Sequence, residues 1–242
     1  MPLPKISTPT YELELPSTGK TIKYRPFLVK EEKVLILALE SQDVKQITLA
    51  IKSVLKDCIQ TRGVKIEELP SFDIEYIFLN VRGKSVGEAI DLVVTCSDDG
   101  ETTVPAKVFV DEIKVQKDKD HTTEIRLDDS IVIRMKYPSL EQFIKNNFDF
   151  SSDESVSTIE KSFDIIASCI ESIFSGEEAW AASDCTKKEL IEFIESMNSD
   201  QFKRIEKFFE TMPKLSHTFE VVNPKTKVKN TVTLEGLTSF FG

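Results

Sequence analysis

The chain has 242 residues, 40% of them apolar and 30% charged, with 8 glycines and 10 prolines. That composition excludes collagen-like, low-complexity and wholly disordered chains, and the length allows one large domain or a modest core with an attached lobe. Against 31 basic residues stand 41 acidic ones, a net charge of −10, and such a field repels phosphate backbones, so general nucleic-acid binding is not expected.

Tyr11 to Leu15 and Thr21 to Arg25 alternate apolar and polar residues about the turn Pro16-Ser17-Thr18-Gly19, which predicts a hairpin over residues 10–26. After Pro26 the period becomes helical. Val34, Leu35, Leu37 and Ala38, then Val44, Ile47, Ile51, Val54, Leu55, Cys58 and Ile59, predict two helices with one buried stripe, parted near Ser41-Gln42-Asp43. The stretch Val34 to Leu39 falls far short of the roughly 20 residues a bilayer span needs, so no membrane partner is expected. Ser71 is placed to cap a third helix, whose Ile74, Ile77, Phe78 and Val81 share a face before Gly83 ends it.

From Glu88 the period is that of strands. Ala89 to Cys96 and Thr102 to Val115 flank Ser97-Asp98-Asp99-Gly100, and Thr122 to Leu127 and Ser130 to Lys136 flank Asp128-Asp129, so residues 88–137 read as one small antiparallel sheet. Helices then follow at Ser139 to Asn147 and at Val156 to Phe174. The capping box Thr186-Lys187-Lys188-Glu189 opens another, and Phe202, Ile205, Phe208, Phe209 and Met212 mark a last one, stopped by Pro213. His217 to Val222 and Val228 to Leu234 form a third hairpin. The fold class expected is α+β: a helical bundle-like core with a small antiparallel sheet and peripheral β-hairpins. A hinge at Phe148 to Ser155 divides residues 1–147, with hairpin, helices and sheet, from the helical half 148–242, with its C-terminal hairpin and aromatic tail.

Catalytic and cofactor motifs fail on spacing. Leu15-Pro16-Ser17-Thr18-Gly19 matches a sortase string in the wrong place, and Gly19-Lys20-Thr21 imitates a P-loop end although Glu14 stands where its first glycine belongs. The four cysteines, Cys58, Cys96, Cys169 and Cys185, form no C-x-x-C pair and read as reduced, mostly buried thiols. The turns after Cys96 and around Asn223 have the shape zinc ribbons use, but Cys96 and His217 cannot complete four ligands, so no metal and no cofactor is expected. The acidic pairs Glu31-Glu32, Glu67-Glu68, Asp128-Asp129 and Glu177-Glu178 read as solvated surface. His121 and His217 carry no supporting motif; an unrecognised hydrolase using both is the least favoured reading.

Interaction features remain. Leu237, Phe240 and Phe241 put apolar bulk near a chain end, either as a peg for a partner or tucked onto the chain's own helices. Arg25 and Arg82 are set among apolar residues, where a guanidinium pairs with a carboxylate of the same or another chain. Lys225, Lys227 and Lys229 form a basic strip on an acidic protein.

The segments Leu13-Glu14-Leu15-Pro16-Ser17-Thr18-Gly19-Lys20, Tyr24 to Lys33, Glu75 to Leu79, Val81 to Glu88 and Leu234-Glu235-Gly236-Leu237 with Phe240-Phe241 bracket nearly the whole chain. In these the chain resembles the baseplate hub subunit and hub-assembly family of T-even-type contractile-tailed bacteriophages. The resemblance implies a non-enzymatic protein that works through protein-protein interaction during tail assembly in the host cytoplasm. Its partners would be other baseplate and hub proteins, with self-association left open. It would be either a structural subunit retained in the virion tail or a transient assembly factor absent from it. On that reading Leu237, Phe240, Phe241, Arg25 and Arg82 are the candidate partner-binding residues.

Overall fold

Tyr11–Glu14 (β1) and Thr21–Tyr24 (β2) pair antiparallel with Tyr11 opposite Tyr24, and the Gly19 amide donates to the Leu15 carbonyl at 2.8 Å to close the turn. The expected hairpin is therefore present in a computed structural model that describes residues 6–142, 144, 158–236 and 239. The hinge expected at Phe148 to Ser155 lies outside the described residues.

Two helices follow, Val29–Ser41 (α1) and Val44–Cys58 (α2). Gln42, in the left-handed region at φ 53°, ends the first, and the Asp43 carboxylate accepts the Lys45 amide at 2.8 Å to start the second. The third helix, Ser71–Val86 (α3), departs from the expected ends. Pro70 is the capping position, and Ser71 uses its amide, which the first helical turn leaves free, to bond the Pro138 carbonyl at 3.0 Å. Gly83 does not stop the helix. It lies buried inside it, and a Cβ there would stand 3.0 Å from Val110, so the glycine gives that side chain room to pack.

Residues 88–137 do not form one sheet. Ala89–Thr95 (β3) and Thr103–Phe109 (β4) pair with each other, but a 3-10 turn at Val110–Glu112 redirects the chain, and Lys114–Gln116 (β5) joins a strand near the C-terminus. Glu124–Arg126 (β6) and Ile131–Met135 (β7) open a separate sheet about the Asp128 turn, where one carboxylate oxygen accepts the Ser130 and Ile131 amides, each at 2.8 Å.

The stretch expected as a helix to Phe174 is a helix only over Thr158–Cys169 (α4); Ile170–Ser175 (β8) is a strand, paired with β7 and with Glu178–Ala181 (β9). The cause is a bulge. Pairing jumps from Arg134 opposite Ser172 to Met135 opposite Ile170, so Ile170 and Ile173, three residues apart, both turn inward. That spacing imitates a helical stripe.

Lys187–Glu195 (α5) begins at the expected capping box: the Thr186 amide donates to Glu189 at 2.7 Å, and Thr186 Oγ1 accepts the Glu189 amide at 3.3 Å. Ser199–Thr211 (α6) follows and ends before Pro213. Lys214–Val222 (β10) and Lys229–Glu235 (β11) make the last hairpin, and β5 pairs on the other side of β10, giving the order β11-β10-β5.

Two large cores result. The first joins β1, β2, α2 and α3 to Leu215 of β10, with Val115, Phe219 and Leu234 packed against it. The second is built by β6, β7, β8, α4, α5 and α6. Small helices around small antiparallel sheets make this an α+β fold, as expected.

Candidate interaction surfaces

Leu237, Phe240 and Phe241 lie outside the described residues. Arg25 is committed inside the chain: its guanidinium donates to Glu31 at 2.9 Å and to the Pro26 carbonyl at 2.9 Å, pinning the end of β2 to the start of α1. Glu31, read from the sequence as a solvated carboxylate, is 3% exposed. Its second oxygen accepts the Leu28 amide at 2.7 Å, and Lys30 stands at 3.1 Å. Burial alone would raise this carboxyl, but the bonds from Arg25, Leu28 and Lys30 outweigh it and bring the pKa down to about 2. Arg82 sits half-buried on α3, where desolvation lowers its pKa.

Among the described residues, exposed large apolar side chains gather on α1, where the sequence pattern predicts a buried stripe. Only Ala38 of that stripe is buried. Val29 is 79% exposed, Leu37 54%, Ile36 49%, and Val34 and Leu39 above two fifths, while Leu49 of α2 is also open. Val34 to Leu39 is apolar all around the helix, yet α1 packs on the body by one side, through Leu35, Ala38 and the Arg25–Glu31 pair. A helix apolar all round needs cover on more than one side. Amphipathic spacing could not show this, because periodicity identifies a helix and not how much of it neighbours cover.

A second surface lies at β9, the edge of the four-stranded sheet. Trp180, the chain's one tryptophan, is 43% exposed there beside an apolar groove of about 270 Å³ lined by Ile131, Ile173, Leu190 and Phe193. An unpaired strand edge next to such a groove is suited to an added strand with an apolar side chain. A wider cleft of about 1080 Å³ runs along Glu68, Tyr137, Gln142 and Lys161, and its Asp164 and Lys187 pair with each other at 2.7 Å.

The two histidines serve packing. The His121 ring nitrogens each lie 3.0 Å from a hydroxyl, of Thr211 and of Tyr137, and burial lowers its pKa against the pull of Asp118. His217 stacks on Phe219, with its Nδ1 3.3 Å from the Glu112 carbonyl.

The turns at Ser97–Gly100 and Asn223–Lys227, each a polar turn joining two short strands, lie against each other. In each the fifth residue donates back to the first, Gly100 to Cys96 at 2.9 Å and Lys227 to Asn223 at 2.9 Å, and both Gly100 and Lys227 take left-handed φ. Asn223, fully buried, donates to Asp98 at 2.9 Å and Asp99 at 3.0 Å; Asn230 accepts from Ser97 and from the Asp98 amide, each at 2.9 Å. Asp99, bonded by Thr102 and Asn223, is held well below the usual carboxylate range. Hydrogen bonds thus join the two turns, and among the described residues no group of three His, Cys, Asp or Glu is arranged to hold a metal ion.

No helix among the described residues is long and apolar enough to cross a membrane. No curated protein and no solved structure matches the chain significantly. A family model does, over residues 8–242, nearly end to end. This chain therefore belongs to the T4 bacteriophage base plate protein family, which makes it a structural protein of a phage baseplate.

Proposed function

We infer that the chain is a subunit of the baseplate hub that acts, without catalysis, by docking on neighbouring tail proteins. The observation that carries this reading is the outer face of α1. Val29, Ile36 and Leu37 are left in water, where burying one such side chain fully contributes about 1.5–3 kcal/mol. Leu237, Phe240 and Phe241 would add a peg at the C-terminus, while Arg25 supports the docking face from within by fixing α1 to β2.

The test is incorporation. A tagged chain carrying Ile36→Glu and Leu37→Glu should keep the wild-type circular dichroism spectrum and melting temperature, because both side chains are exposed. It should co-purify with tails from infected cells at least about tenfold less, the loss expected for about 1.4 kcal/mol of docking energy. Full incorporation would refute the reading. Truncation after Gly236 should likewise leave the described fold intact and weaken incorporation. Mass spectrometry of purified tails separates the retained subunit, which is present, from a transient assembly factor, which is absent.

A further inference from the structure

We propose that the outer face of α1 binds a second copy of the chain, the two helices lying antiparallel about a two-fold axis between Ile36 and Leu37. This deepens the reading of α1 as a docking face and rests on it. On the solvent side of α1 the residues in line are Val29, Lys33, Ile36 and Glu40, with Leu37 beside them. The Lys33 and Glu40 side chains are exposed, and no ion pair or side-chain hydrogen bond ties either of them to another described residue, although each flanks the apolar centre. An antiparallel copy centred between residues 36 and 37 sets Ile36 against Leu37 and Lys33 against Glu40. Symmetry makes every one of these contacts occur twice. A parallel copy would set Lys33 on Lys33 and Glu40 on Glu40.

The charge of the whole chain argues against indiscriminate self-contact, since two bodies of net charge −10 repel. The α1–α2 pair is the exception. Across residues 29–58, Lys30, Lys33, Lys45, Lys52 and Lys56 balance Glu31, Glu32, Glu40, Asp43 and Asp57. An apolar helix face on a locally neutral patch, with complementary charges at seven-residue spacing, fits a copy of itself.

Sedimentation of the full chain over a concentration series tests the proposal. The wild type should dimerise and Ile36→Glu should be monomeric. Lys33→Glu and Glu40→Lys should each weaken association about tenfold, because two attractive contacts become repulsive. An equimolar mixture of these two variants should regain wild-type association, since each then supplies the charge the other lacks. A wild type that stays monomeric, a dimer that survives Ile36→Glu, or a mixture no tighter than its components would overturn the proposal. If the wild type is monomeric but Ile36→Glu still blocks tail incorporation, the face takes a different tail protein: the second copy is wrong and the functional reading stands. If the dimer behaves as expected and the variants incorporate fully, the dimer stands and the face is not the baseplate contact.

Discussion

Glu31 and Asp73 are both buried carboxylates, and their surroundings push them in opposite directions. Glu31 receives charged and neutral donors that favour its ionised form, so its folded pKa of about 2 lies below the ordinary 4.5. The stability it contributes is complete above pH 4.5 and is lost as pH falls toward 2. Asp73, with no exposed surface, is raised by burial, only partly offset by the Ser17 hydroxyl and the Ser17 amide at 3.0 Å, so its contribution weakens as pH rises above 3.8. The same chemical change should therefore have unequal costs. At pH 7, Glu31→Gln should destabilise by about 2 kcal/mol and Asp73→Asn by less than about 1 kcal/mol, measured by urea unfolding. The Glu31→Gln penalty should shrink at pH 3. Neither role was legible in the sequence, where Glu31 is one of an acidic pair and Asp73 a first-turn helix residue; burial of both depends on elements that arrive from elsewhere.

Elements with local signals were legible, and those fixed by distant partners were not. The hairpin at β1–β2, the α1–α2 break at Gln42-Asp43 and the α5 capping box follow from turn and cap chemistry within a few residues. The boundary between α4 and β8 has no glycine or proline, and the bulge opposite Met135 gives Ile170 and Ile173 helical spacing. Exposure of α1 is the corresponding failure at the candidate site: its apolar residues were visible, but what covers them is a property of the assembled chain. The polar hairpin turns after Cys96 and around Asn223 were visible singly, whereas their contact was not. Asn223→Ala should cost about 2 kcal/mol by removing bonds to two carboxylates from a buried site. Amide hydrogen exchange should then rise in both turns together; protection lost at Asn223–Lys227 alone would mean that the turns stand independently.

Across the whole molecule α3, which contributes to the first core, reaches the second through aromatic rings. Phe72 of α3 meets Tyr137 edge-on at 5.0 Å, and Tyr137 stacks on Phe208 of α6 at 5.8 Å and on His121 at 5.6 Å. Phe72→Ala should cost about 3 kcal/mol and uncouple the cores. Trp180 borders the second core through the groove it shares with Ile131, Ile173, Leu190 and Phe193, so its fluorescence should follow the circular dichroism transition in the wild type and part from it in the variant; coincident curves in both would show that the rings do not carry the coupling. The return of β10 and β11 to β5 has a further consequence during translation. Leu215, Phe219 and Leu234 complete a core whose other members begin at Leu13, while residues 125–208 build their own core in between. A nascent chain on the ribosome thus holds its N-terminal core unfinished until β10 and β11 have been made, and a stop before residue 214 leaves that core without Leu215, Phe219 and Leu234.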